Sequence, residues 1–205
     1  MVRLCRLLNR IRIRYVVAGG IAAILYGVHR VTTDIDVILD LDAASEQQLH
    51  RLVEELQRHG YRVSQKDLKA ALADRGHVTV FRNGYRIDFK PATTSIDQST
   101  LAHRIPIEVQ GIRVWVTPLE ELIAVKLREL AALKDVEDAL QLMYLYYDQL
   151  DWQHLHQLTG GDPLNYANEL LATILNEFPE SKRLHRQVKE LKQLKRRLEQ
   201  ILKKK

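Results

Sequence analysis

The stretch that decides the fold runs Tyr15-Val-Val-Ala-Gly-Gly-Ile-Ala-Ala-Ile-Leu-Tyr-Gly-Val-His-Arg-Val-Thr-Thr-Asp-Ile-Asp-Val-Ile-Leu39. It opens as an apolar strand, Tyr15–Ala18, which ends on Gly19-Gly20 and leads into a short apolar helix, Ile21–Val28. A second strand, Asp34–Leu39, begins with Asp34-Ile35-Asp36. Side chains at i and i+2 of a strand leave the same face, so Asp34 and Asp36 stand side by side while Ile35 turns into a core. Two neighbouring carboxylates repel each other unless a cation lies between them, and an all-oxygen donor set suits Mg²⁺. Glycines between a strand and a helix let a phosphate approach backbone N–H groups. A cation seat and a phosphate seat this close together point to nucleotide chemistry.

The succession apolar-Gly-Gly, short helix, Asp-apolar-Asp-apolar resembles the nucleotidyltransferase superfamily that includes DNA polymerase beta and the minimal nucleotidyltransferases. Within it, Arg30-Val-Thr-Thr-Asp-Ile-Asp36 resembles the AbiEii-like bacterial toxins and their relatives. The resemblance implies a two-metal transfer of NMP from an NTP, ATP among the candidates, to an acceptor hydroxyl, with Mg²⁺ (or Mn²⁺) as cofactor. It makes Asp34 and Asp36 ligands to both metals and asks for a third carboxylate on a neighbouring strand. Asp88, in Tyr85-Arg-Ile-Asp-Phe89, fits that place, with Asp40 and Asp97, both in expected loops, as alternatives. Gly19, Gly20, Arg30 and Lys126 would hold the triphosphate. Many relatives carry Gly-Ser where this chain has Gly19-Gly20, so a hydroxyl contact would fall to Thr32 or Thr33.

The toxin-like motif also implies a tRNA or other RNA end as acceptor and an antitoxin protein as partner. A protein hydroxyl, or an aminoglycoside or lincosamide antibiotic, is the other acceptor class. Lys134-Asp135 followed by Asp138 resembles an AbiEii-like stretch, yet Asp135 also reads as a helix cap and Asp138 as a helical partner of Lys134. The rival class is a non-catalytic nucleotide-binding or antitoxin-type member, against which the intact carboxylates argue.

Composition limits the alternatives. Hydrophobic residues make up 46% of the 205 and charged residues 28%, the balance of a soluble globular protein. The single Cys5 excludes an intrachain disulfide and fits the cytoplasm. The apolar run 16–28, preceded by Arg10, Arg12 and Arg14, imitates a secretion signal. It is too short to span a bilayer and runs straight into the Asp-Ile-Asp strand, so a buried strand and helix explain it and no membrane segment is expected. The net charge of +5 is uneven: residues 182–205 hold eleven Lys/Arg against two Glu, which leaves −4 for the rest. That basic end, an amphipathic helix with Leu184, Val188, Leu191, Leu194, Leu198 and Ile201 on one stripe, is the candidate surface for tRNA or RNA.

The expected fold class is α+β: a mixed-sheet nucleotidyltransferase core over residues 1–117, then a helical region over 118–205. Leu and Arg alternate over 3–12 as an amphipathic helix, and Ser45 caps a helix over 46–59 that Gly60 stops. Tyr61–Val63 reads as a short strand, and 65–75 as one or two helical turns. His77–Phe81 and Tyr85–Phe89 form a hairpin around Arg82-Asn83-Gly84, and Ile105–Val109 and Ile112–Val116 a second around Gln110-Gly111. Thr117-Pro118 starts a helix with Thr117 as its cap, and further helices are expected near 134–149, 163–177 and 182–203.

Overall fold

The computed structural model describes residues 1–41, 44–74, 76–82 and 84–204. Asn83 of the first hairpin turn and Lys205 of the basic end lie outside the described residues. The chain divides into two compact units, Met1–Pro118 and Leu119–Lys205.

The first unit follows the order α1 (Val2–Ile11), β1 (Tyr15–Ala18), α2 (Gly19–Leu25), β2 (Asp34–Leu39), α3 (Glu46–Arg58), α4 (Gln65–Ala73), β3 (Val78–Arg82), β4 (Tyr85–Pro91), α5 (Ser95–Ala102), β5 (Ile105–Val109) and β6 (Ile112–Val116). Its six strands form one mixed sheet in the order β3-β4-β2-β1-β6-β5. β2 lies near the middle, antiparallel to β1 and parallel to β4. The two hairpins are β3–β4 and β5–β6, both antiparallel.

Strand parity gives the sheet two unlike faces. Ile35, Val37 and Leu39 of β2, Tyr15 and Val17 of β1, Ile87 and Phe89 of β4 and Val114 and Val116 of β6 share one face, and all are buried. The amphipathic α1 buries Leu4, Cys5, Leu7, Leu8 and Ile11 against this unit, and α3 buries Leu49, Leu52, Val53 and Leu56. The other face bears Asp34 and Asp36 at one end of β2. At the other end Ile38 joins Val16, Ala92 and Leu101 in a small apolar cluster beneath α5. An ion pair between Lys90 and the buried Asp97, 2.9 Å, ties α5 to that same face.

Local signals account for most boundaries. Ser45 accepts a bond from Gln48 N while the Gln48 side chain accepts one from Ser45 N, a complete capping box worth about 1 kcal/mol. Gly60, at φ +79°, ends α3 as expected. Other expectations are corrected. Residues 61–63 form no strand, because the chain passes directly into α4, which fills 65–73 as a helix. α2 starts at Gly19 rather than Ile21. α5 is a helix that the apolar pattern does not announce, although Thr94 and Asp97 form a second capping box. Thr117 directs its hydroxyl to Val17 O (3.1 Å), extending the β1–β6 pairing.

The second unit is helical: α6 (Leu119–Val125), a π-helical turn (Lys126–Leu130), α7 (Leu133–Leu145), α8 (Trp152–Thr159), α9 (Pro163–Glu177) and α10 (Lys182–Leu202). The wide turn closes where Ala131, held at φ +50°, donates its N–H to Lys126 O. Asp151, Asp162 and Ser181 cap α8, α9 and α10 through their side chains, with Pro163 at the first position of α9. α8 is a further helix absent from the sequence expectation. α10 packs on α7 and α9, burying Val188, Leu191 and Leu198. Among the described residues no helix is long and apolar enough to cross a membrane.

Candidate active site

The site is built by two strands and a turn. On β2, Asp34 and Asp36 share a face and are part-buried, with the buried Ile35 between them. On β4, Asp88 stands opposite Asp36 in parallel register, and Arg86 stands opposite Asp34. Neighbouring strands run roughly 4.8 Å apart, so the register alone brings the third carboxylate beside the second. β3 adds Thr79, opposite Asp88 on the same face.

The turn closes the site from the side of β1. Ala18 pairs with Asp36, and Gly19, at φ +60°, follows it immediately. A methyl group added at Gly19 would fall 1.9 Å from Asp36 Oδ2, so only glycine lets the backbone lie against this carboxylate. At Gly20 the same methyl would meet Thr32 Oγ1 at 3.0 Å and Arg30 Cζ at 3.3 Å. The glycine pair thus has the Asp36 carboxylate on one side and the Thr32 and Arg30 side chains on the other. Thr33 Oγ1 donates to Asp34 Oδ1 at 3.1 Å, which places it with the carboxylates.

Both oxygens of Asp88 have protein partners. Oδ1 accepts from Thr79 Oγ1 (2.5 Å) and Arg86 Nε (3.1 Å), and Oδ2 lies 3.0 Å from the same Nε. Contact with Asp88 raises the pKa of the Arg86 guanidinium, and the charges of Asp34 and Asp36 add to it. Sequence reasoning missed Arg86 and Thr79, although strand parity, Arg86 being two residues from Asp88, carried the signal.

The residues suit a divalent cation in donor chemistry: three carboxylates on one sheet face, oxygen donors throughout, beside a turn without side chains. Among the described residues no three acidic, histidine or cysteine side chains already converge as a cage, and Arg86 lies against Asp88. The alternative third carboxylates are engaged elsewhere. Asp40 is paired with Arg14 at 3.0 Å, and Asp97 lies inside α5, bound to Lys90, rather than in a loop.

Lys126 belongs to the second unit. Its side chain is 1% exposed, and Nζ lies 2.6 Å from Asp138 Oδ2 and 3.2 Å from Asp135 Oδ1. Asp138 therefore pairs with Lys126, a partner that helical spacing from Lys134 does not announce.

Residues 4–190 match the model of a family described as nucleotidyltransferase of unknown function (DUF6036). Comparison with curated proteins finds no match. Among solved structures, the solution structure of the antibiotic-resistance factor ANT(2'')-Ia is similar at 17% identity and TM-score 0.52, covering 82% of this chain and 91% of that one. The crystal structure of ANT(2'')-Ia with adenylyl-2''-tobramycin is similar at 16% and TM-score 0.51, covering 81% of this chain and 94% of that one. A tRNA nucleotidyltransferase complexed with a primer tRNA and an ATP analog aligns at 14% and TM-score 0.41, over 96% of this chain and 61% of that one. The first two show a shared nucleotidyltransferase-like fold.

Proposed function

The chain belongs to this nucleotidyltransferase family, and we propose that it moves NMP from an NTP to an acceptor hydroxyl at the carboxylate end of β2 and β4. The observation that carries the reading is the Asp36–Asp88 register beside Gly19. Asp34 and Asp36 would hold a divalent cation, Mg²⁺ or Mn²⁺, with Asp88 completing the set on the acceptor side. Bound there, the cation supplies charge neutralisation at the phosphoryl oxygens and lowers the pKa of the acceptor hydroxyl.

The protein's own part is positioning. The Gly19-Gly20 turn admits the triphosphate to the backbone, and Arg30, beside Gly20, offsets its charge. The acceptor hydroxyl gives up its proton to solvent water as its oxygen attacks the α-phosphorus in line, the bond to the bridging oxygen breaks, and pyrophosphate leaves. The opposite face of the same strands is filled by the buried Ile35, Val37, Ile87 and Phe89, so the strands that carry the carboxylates are backed by the apolar core. Alignment and fixed charge, rather than covalent catalysis, supply the acceleration. The Lys126 ammonium, enclosed by Asp135 and Asp138, is assigned to the stability of the second unit rather than to the triphosphate.

The acceptor we favour is an RNA end. α10 leaves Lys182, Arg183, Arg186, Lys189, Arg196 and Arg197 exposed while its apolar stripe is docked, which is the arrangement of a phosphate-contacting surface. A hydroxylated antibiotic is the second reading, favoured by the fold shared with ANT(2'')-Ia. Incubation with Mg²⁺, labelled NTPs, total RNA and an aminoglycoside panel separates them. Label on RNA that disappears with Asp36→Ala supports the first reading, and label on the drug supports the second. No transfer to RNA, protein or drug would overturn the enzymatic reading.

A further inference from the structure

Arg86 brings the charge of a cation to the carboxylate cluster by its strand position alone. It lies two positions before Asp88 on β4 and opposite Asp34 on β2. Its Nε is shared between both oxygens of Asp88, at 3.1 and 3.0 Å. The side chain is 44% exposed against 14% for Asp88, so the carboxylate is fixed in the sheet while the guanidinium sits on the solvent side of it. Thr79 also holds Asp88, donating to Oδ1 from β3, so the carboxylate has a second partner besides the arginine.

We propose that Arg86 is an internal counter-ion that occupies Asp88 in the cation-free protein and must leave it for Asp88 to bind the divalent cation. This rests on the nucleotidyl-transfer reading and adds a consequence to it. Three carboxylates gathered on one face repel each other, and the resident guanidinium relieves that repulsion before any cation arrives. The same contact competes with the cation for the same oxygens. A triphosphate entering beside Gly19 offers the guanidinium another anion, so nucleotide binding and cation binding favour each other through Arg86. An exposed ion pair is weak and the arginine stem is long, so the exchange is easily driven.

The test measures Mn²⁺ affinity by electron paramagnetic resonance, without nucleotide, in the full chain and in Arg86→Gln, Arg86→Lys, Asp88→Asn and the Arg86→Gln/Asp88→Asn pair. Removing a competing ion pair of this kind tightens Mn²⁺ binding by roughly two- to fivefold in Arg86→Gln. Arg86→Lys, whose ammonium lacks the planar fork, falls between wild type and Arg86→Gln. The gain vanishes when Asp88→Asn is present as well. Weaker Mn²⁺ binding in Arg86→Gln would make Arg86 a residue that merely orients Asp88, and unchanged binding would make it a bystander; either overturns the proposal. A triphosphate analogue supplies the second measurement: it tightens Mn²⁺ binding more in wild type than in Arg86→Gln. Wild type that transfers label while Arg86→Gln binds Mn²⁺ no more tightly refutes the counter-ion alone. Tighter Mn²⁺ in Arg86→Gln with no label transferred by wild type refutes the reaction alone.

Discussion

The backbone of Gly19 lies against the carboxylate of Asp36 so closely that a β-carbon there would sit 1.9 Å from Oδ2. Sequence places these residues seventeen positions apart, on a turn and a strand, and the β1–β2 pairing brings them together through Ala18 and Asp36. The glycine turn and the Asp36 carboxylate are therefore one mechanical unit.

Gly19→Ala tests that unit. The new methyl requires Asp36 to move, and the left-handed φ of +60° adds strain of about 1–2 kcal/mol. A displacement of about 1 Å at a reacting centre lowers rate roughly a hundredfold. Gly20→Ala meets Thr32 at 3.0–3.1 Å without a positive φ, so it costs less stability and keeps on the order of a tenth of the rate. Label transfer and urea unfolding of the two variants check the order, and a Gly19→Ala protein as active as Gly20→Ala contradicts it.

The second unit turns on Lys126. Removing one partner of a buried charge cluster leaves the others uncompensated, so Lys126→Met, with Asp135 and Asp138 left facing each other, destabilises by about 3–5 kcal/mol. The triple variant Lys126→Met/Asp135→Asn/Asp138→Asn recovers most of that loss, because none of the three charges remains buried. Urea midpoints decide this. A Lys126→Met protein as stable as wild type, but unable to bind NTP, would return the lysine to the triphosphate.

Much of this is legible in the sequence, and the parts that are not share a cause. Asp34, Asp36 and Asp88 declare themselves by period-two alternation with Ile35, Ile87 and Phe89, because a half-buried strand has only two faces. The hairpins follow from turn residues, and α9 from Asp162-Pro163. α5 and α8 escape because each is eight residues long with weak apolar periodicity, so only their caps, Thr94 and Asp151, carry a signal. The Lys126 cluster needs a π-helical turn and a left-handed Ala131 to bring it to Asp135, and no local pattern encodes a partner nine residues away across such a turn.

Cys5 and Tyr15 predict the alkaline limit of the fold. Burial raises the Cys5 thiol above its ordinary 9.0, and burial together with a neighbouring Cys5 charge raises Tyr15 above its ordinary 10.0. Both groups keep their protons in the folded chain where the unfolded chain releases them. Their contribution is thus whole below pH 9.0 and falls as pH rises, first through Cys5 and then, above 10.0, through Tyr15. The slope approaches about 1.4 kcal/mol per pH unit for each group. Urea unfolding between about pH 8 and pH 11, which spans both ordinary values, should show Cys5→Ala declining later and less steeply than wild type. Parallel curves would refute the assignment.

The basic face of α10 yields the prediction on which the acceptor depends. Deleting the helix would uncover the surfaces of α7 and α9 that Val188, Leu191 and Leu198 cover, so charge must be removed without removing the helix. Lys182, Arg186 and Lys189 are exposed and follow one another at helical spacing, and the exposed Arg196 and Arg197 lie two turns further along the same side. Replacing all five by Gln leaves the apolar stripe in place and should preserve the melting temperature. If each contacts one phosphate of single-stranded RNA, the logarithmic salt dependence of binding falls by about 0.7 per contact, to a total of about 3.5. RNA labelling then drops through weaker binding, with KM raised and kcat held, because backbone phosphate contacts add uniform binding rather than an interaction made only in the transition state. An unchanged salt slope in the five-fold variant would remove α10 from the RNA surface and shift the balance toward a small hydroxylated acceptor.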